Sequence, residues 1–434
     1  MTATDRHSSR VAVRVVVAAV AVVAVLVGLI AWHIHGDDTY VVPAGTVGST
    51  RAATELPGQA AAALEAWQKA VAERDPQAAP GSAARTATTN AKAIDIQGFT
   101  ARYIAPEGAV SADGSWTADV AMTWRFGGVD ASTASAEIST TFAPAASVAS
   151  PAGTAGSVGS TGSTAGPRGV EITGFGQGDG RLPLWLAGPV QVRRTGETMV
   201  VLAGTGAAAD RKAARYQTLA TRAVAAVRKV VPWTHPHLVL EVPASEAGLE
   251  RMMDADEGSY HGVAAVTASV DGSAQGPVHV LVNPQVIGGL NSQGAQIVLS
   301  HEATHDATNV ATNNTLPSWL LEGFADYVAL RDVKLPLSTT ARQIIADVRR
   351  DGVPKHLPGP KQFNDQSEDF GAEYEAAWLA NRLLAQLGGQ QALVDLYDEV
   401  RGGAGLDASM RREFGFGVQD FTARWRQELQ ALAR

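Results

Sequence analysis

The chain has 434 residues, 45% hydrophobic and 18% charged, which is enough for two globular domains. Its net charge of −8 leaves no basic excess to recruit nucleic acid, so no nucleic-acid partner is expected. It contains no cysteine, which excludes disulfides, thiolate-held zinc and thiol catalysis, so any metal must be held by histidine and carboxylate.

From Val15 to Trp32, eighteen apolar or glycine residues run without interruption, close to the length that spans a bilayer. Arg6, Arg10 and Arg14 precede this run, and Asp37 and Asp38 follow it. The positive-inside rule therefore keeps residues 1–14 in the cytoplasm and places everything after His35 outside. The run is longer than the apolar stretch of a cleaved signal peptide, and no A-x-A-like site follows at once. We expect an uncleaved, single-pass signal anchor over residues 15–35, with the lipid bilayer as its partner. Residues 36–57, rich in Gly, Pro, Thr and Ala, read as a linker.

A helix is expected from Gln59 to Arg74, where Ala63, Leu64, Trp67 and Val71 recur at three- and four-residue spacing. Strands follow. From Trp116 to Phe126, apolar and polar residues alternate with a period of two. Phe99–Ile104, Ala136–Phe142, Pro189–Arg193 and Thr198–Ala203 read as further strands, the last two joined by Thr195-Gly196-Glu197 as a hairpin. One helix followed by an antiparallel sheet resembles an NTF2-like or cystatin-like α+β roll, assigned to residues 58–206. Trp116 and Trp124 share one strand face and are expected in its core. The Gly/Ser/Thr tract over residues 144–169 cannot bury enough apolar surface to order itself and reads as a surface insertion.

The second domain, residues 208–434, begins with a helix from Ala208 to about Val230. Leu238–Val242, Ala265–Val270 and Val278–Asn283 read as strands. A helix capped by Ser245 runs to Met253. Leu290–Asn309 follows as a helix with Asn291 or Ser292 as its cap. It carries His301-Glu302-Ala303-Thr304-His305, an H-E-x-x-H pattern. With 3.6 residues per turn, His301 and His305 lie on one helix face, where two imidazoles can reach a single Zn²⁺. Glu302 sits roughly 100° around the helix, beside the metal, where a general base for water belongs.

A catalytic zinc takes three protein ligands, and Pro317-Ser318 opens a second helix that supplies the third as Glu322. Ser318 is the expected cap. Asp326, one turn on, is placed to accept the outer N–H of a ligating imidazole. Gly323 between them implies a close approach to the first helix.

These two segments resemble the gluzincins, zinc peptidases whose third ligand is a glutamate from a following helix. Trp319-Leu320-Leu321-Glu322-Gly323-Phe324-Ala325 is most similar to the aminopeptidase-N branch and the peptidase-MA-like proteins. The resemblance implies His301, His305 and Glu322 as zinc ligands, Glu302 as base and Asp326 as orienter. It also implies that the strand just before the zinc helix, carrying Val278, Val280 and Val282, takes up substrate backbone. A helical lobe is expected to close the cleft, with helices at Ser338–Arg350, Ala372–Leu387, Gln390–Arg401 and Gln419–Arg434. Related peptidases stabilise the oxyanion with a Tyr or His of this lobe; Tyr374 is the first choice, Tyr327 and His356 the others. His235, His237, His261 and His279 show no ligand spacing.

Two functions follow from these residues. One is a membrane-anchored, extracytoplasmic zinc metallopeptidase acting on peptide or protein substrates. No G-x-M-E-N-type motif precedes the zinc helix, so endopeptidase and aminopeptidase both stay open. The other is a cell-surface binding or scaffold protein whose roll carries the function and whose zinc is structural or vestigial.

Overall fold

The computed structural model describes residues 56–145, 169–178, 180–311, 315–364 and 370–434. The expected membrane anchor, most of the linker and nearly all of the Gly/Ser tract lie outside them. No helix among the described residues is long and apolar enough to cross a membrane. The architecture is α+β, with two sheets in two compact units. Residues 56–190, with Arg251–Ala255, form one unit; Gln191–Glu250 and Asp256–Arg434 form the other.

The first unit starts with α1 (Pro57–Glu73), which buries Ala63, Leu64, Trp67 and Val71, the stripe read from sequence. A second helix, α2 (Ser82–Ile94), was not expected. Its buried face is Ala84, Ala87, Thr88, Asn90, Ala91 and Ile94, too poor in large apolar residues to announce itself by periodicity. Strands β1 (Ile96–Glu107), β2 (Trp116–Phe126), β3 (Ala134–Pro144) and β4 (Val170–Phe175) then form an antiparallel meander in chain order. β4 is a short strand that the sequence reading missed. Along β2 every second residue is buried, and Trp116 and Trp124 are both in the core. Trp116 stacks on Phe142 at 5.6 Å, and Trp124 lies 6.2 Å from Trp185, so packing accounts for both indoles.

The second unit begins earlier than expected. β5 (Val190–Arg194) and β6 (Thr198–Ala203), assigned by sequence to the roll, pair instead into a sheet of order β5-β6-β7-β9-β8. Here β7 is Leu238–Val242, β8 Ala265–Ser269 and β9 Val278–Val282. β6, β7 and β9 run parallel, and β8 closes the order antiparallel to β9. Sequence neighbours β7 and β8 are thus separated by β9. This corrects the expectation for Val278, Val280 and Val282: their strand is internal, hydrogen-bonded on both sides, and has no edge to offer a substrate. The terminal strand on this side of the sheet is β8, as β5 is on the other.

Alternation along these strands decides what meets the helices. Leu238, Leu240 and Val242 of β7 and Val280 and Val282 of β9 share a core with α3 (Gly206–Val227), α5 (Ser292–Thr308) and α6 (Ser318–Leu330). Thr267 is the register partner of Val280 and so faces the same side. Between β7 and β8 lies α4 (Glu246–Met253), where Ser245 Oγ accepts the N–H of Gly248 at 3.2 Å, the expected cap.

The remaining chain is helical: α7 (Arg342–Asp351), α8 (Phe370–Arg401), α9 (Leu406–Phe414) and α10 (Val418–Leu432), with short helical turns between. Gly389, at φ 87°, interrupts α8 and leaves the two helices the sequence implied.

Candidate metal centre

Helix α5 starts where Asn291 Oδ1 accepts the N–H of Gly294 at 2.8 Å, as expected of its cap. From Gly294 it is buried almost to its end, including His301, Glu302 and His305. α6 starts differently from the sequence reading. Ser318 makes no cap bond; Pro317 precedes the helix, and its carbonyl accepts from Leu320 and Leu321 at 2.9 and 3.0 Å. The proline's fixed φ sets the entry, so the serine hydroxyl is not needed. One turn further, Glu322 and Asp326 face α5.

The two helices bring three ligand atoms together. Nε2 of His301 and Nε2 of His305 are 3.0 Å apart, and Glu322 Oε2 lies 3.2 and 3.4 Å from them. A tetrahedral ion with bonds of about 2.0–2.1 Å sets its ligand atoms about 3.3 Å apart. The triangle therefore has the size such an ion requires. Its atoms are also poorly occupied by one another, since Glu322 Oε2 accepts no well-formed hydrogen bond despite its two close neighbours. A buried carboxylate oxygen in that position is costly without a cation. His301, His305 and Glu322 can hold a metal ion, and they are the one such group among the described residues.

The surrounding shell is consistent with this use. His301 Nδ1 lies 2.8 Å from Asp326 Oδ1, which fixes the ring so that Nε2 faces inward. Burial alone would depress the imidazole, but the Asp326 charge, the hydrogen bond to Asp326 and the nearby Glu322 carboxylate outweigh it and raise His301 well above its ordinary range. Burial also opposes ionisation of Glu322, yet the charge of His305 and the two facing ring nitrogens hold its carboxyl below the usual range. Burial dominates at Asp326 and Glu302 and raises both carboxyls. A divalent ion replaces protons on the imidazoles and so adds the positive charge these buried carboxylates lack.

Glu302 is fully buried beside the triangle and is not part of it. Its Oε2 accepts the hydroxyl of Thr267 at 2.7 Å, and its Oε1 has no partner. Thr267 was not singled out from sequence. Its contact depends on β8 ending the sheet beside α5, which no local pattern encodes.

Other expected residues fall in distinct places. The ring of Tyr374 is buried, 6.3 Å from the His301 ring by centroids, and is held edge-on by Phe363 at 4.9 Å. Tyr327 is half-buried, and His356 is exposed. His235 and His237 are exposed, and His261 stands in solvent 3.5 Å from Glu246. His279 is buried against Glu241 at 2.6 Å, on the sheet face opposite Val280. Gly323 does permit a close approach, but to α8 rather than α5: a β-carbon there would overlap Ala377 and Asn381.

No protein-family profile matches the chain, and no curated protein matches its sequence.

Proposed function

We propose that the chain is a zinc metallopeptidase of the gluzincin type. The observation that carries this reading is the pairing of a metal-sized triangle, His301–His305–Glu322, with a separate buried carboxylate whose Oε1 is unengaged. A structural metal needs its ligands alone; a hydrolytic one also needs a base beside it. His301, His305 and Glu322 hold the ion, and Asp326 orients His301 through Nδ1. Zinc, when bound there, supplies Lewis acidity that favours ionisation of water and polarises a carbonyl.

Glu302 takes a proton from the attacking water on Oε1 and returns it to the leaving amine. Its raised carboxyl suits the first of these transfers, since a weaker acid has the more basic carboxylate. Tyr374, on the lobe side of His301, is the candidate donor to the developing oxyanion. The substrate backbone adds beside β8, the terminal strand, in place of the internal β9.

The same reading takes the first unit as an NTF2-like or cystatin-like roll and the second as a zincin-type domain with its helical lobe. It keeps residues 15–35 as the membrane anchor that holds both outside the cell. Peptide-library hydrolysis by the zinc-loaded chain tests the reading. Cleavage that is lost in Glu302→Gln, with zinc retained, supports it; turnover that survives the substitution rules out Glu302 as base.

A further inference from the structure

Glu302 must present one oxygen to water while enclosed in protein, and its terminal torsion is the soft one. The carboxylate torsion of a glutamate is broad, so packing alone does not decide where each oxygen points. At this site one contact decides it. The hydroxyl of Thr267 reaches Oε2 at 2.7 Å and lies 3.0 Å from the backbone carbonyl of the same residue. A hydroxyl has one proton, and the carboxylate is its stronger acceptor. The bond therefore occupies Oε2 and leaves Oε1 as the oxygen without a partner.

Three features make this contact more than incidental packing. Thr267 is buried and β-branched, with a stiff χ1, so its hydroxyl is fixed by the strand itself. It sits in the middle of β8, between Val266 and Ala268. The strand pairs with β9 on one side and ends the sheet on the other. The strand beside which a peptide would add thus also holds the base in orientation.

We infer that Thr267 is a positioning residue that orients Glu302 for proton transfer, an inference that rests on the peptidase reading above. Its hydroxyl bonds to Glu302 at Oε2 and the backbone carbonyl, and leaves Oε1, the oxygen that takes the proton, to water. Its effect belongs in turnover rather than in substrate binding, because the hydroxyl faces α5 and its strand keeps its backbone partners in β9.

The test compares wild type, Thr267→Ser and Thr267→Val as full-length, zinc-loaded protein on one peptide identified by library cleavage. Valine keeps the shape and removes the donor; serine keeps the donor. We expect Thr267→Val to lose ten- to a hundredfold in kcat with KM within about twofold, in line with the cost of a misplaced catalytic group. Zinc should stay at one per chain. Thr267→Ser should retain kcat within about threefold. A second readout needs no turnover: Thr267→Val should lower the denaturant midpoint in the native background and leave it unchanged when Glu302 is already Leu.

An unchanged kcat in Thr267→Val, a loss confined to KM, loss of zinc, failure of serine to rescue, or strict additivity in the unfolding cycle each overturns the positioning role alone. Absence of hydrolysis in zinc-loaded wild type overturns the peptidase reading, and the positioning role with it.

Discussion

Gly323 lies against the carbonyl oxygen of Ala377 with no room for a β-carbon between them. The same contact includes Asn381, whose amide donates to the carbonyls of Trp319 and Ala377 at 2.9 and 3.0 Å. Helix α6, which carries Glu322 and Asp326, is thereby set directly on α8, which carries Tyr374. In an open helix Gly→Ala would gain about 1 kcal/mol. Here overpacking of about 1–3 kcal/mol opposes and exceeds that gain. Gly323→Ala should lower the unfolding midpoint and weaken metal binding together, as seen by denaturation and by competition with a chromophoric chelator. A stabilised variant with native metal affinity would contradict the packing described.

Asp326→Asn tests the orientation of His301. The amide keeps an acceptor near Nδ1 but removes the charge that favours the correct ring state. Loss of such a partner costs about 10–100-fold in metal affinity. Chelator competition should show a loss in that range with little change in the far-UV spectrum. Native affinity in Asp326→Asn would leave the aspartate a packing residue only.

Glu375 gives a pH dependence that does not involve the metal. It is buried, accepts the backbone N–H of Ile344 at 2.8 Å, and is pushed by burial up to about 8 from an ordinary 4.5. A carboxyl raised in the folded state binds more protons than in the unfolded chain throughout that window. Its contribution to stability is therefore fully present below pH 4.5 and is lost as pH rises towards 8. Glu375→Gln keeps the acceptor and cannot ionise. Chemical denaturation between these limits should show the variant gaining on the wild type as pH rises. A stability difference that is flat with pH would contradict the raised value.

Removing the metal should expose its contribution to folding. At a free concentration about a thousandfold above the dissociation constant, a ligand specific to the folded state adds about 4 kcal/mol. A chelator should accordingly lower the melting temperature of the loaded chain and leave that of His305→Ala unaffected. Equal chelator effects on both would place the bound ion elsewhere.

The candidate metal centre was legible because its parts are local. His301, Glu302 and His305 are fixed relative to one another by one helix, and Glu322 and Asp326 by the next, so periodicity alone predicts each face. Only the meeting of the two helices is tertiary, and a shared apolar core enforces it. The strand proposed to take substrate was not legible in the same way. The gluzincin resemblance points to Val278–Val282 as the strand just before α5, but β9 pairs with β7 and leaves β8 at that end of the sheet. Such non-local pairing leaves no mark on the spacing of residues, and Thr267 escaped notice for the same reason. The transfer of β5 and β6 to the second sheet was hidden likewise, since their patterns fix element type, not partner. Helix α2 was hidden for a local reason: its Ala-rich face carries too few large apolar residues to set a period.

The central claim is that three side chains from two helices close around one ion. Anomalous diffraction at the zinc edge on crystals of the zinc-loaded chain tests it most directly. The account expects a single strong peak bonded to Nε2 of His301, Nε2 of His305 and a carboxylate oxygen of Glu322. A peak that omits Glu322, or none at this position in fully loaded protein, would contradict it.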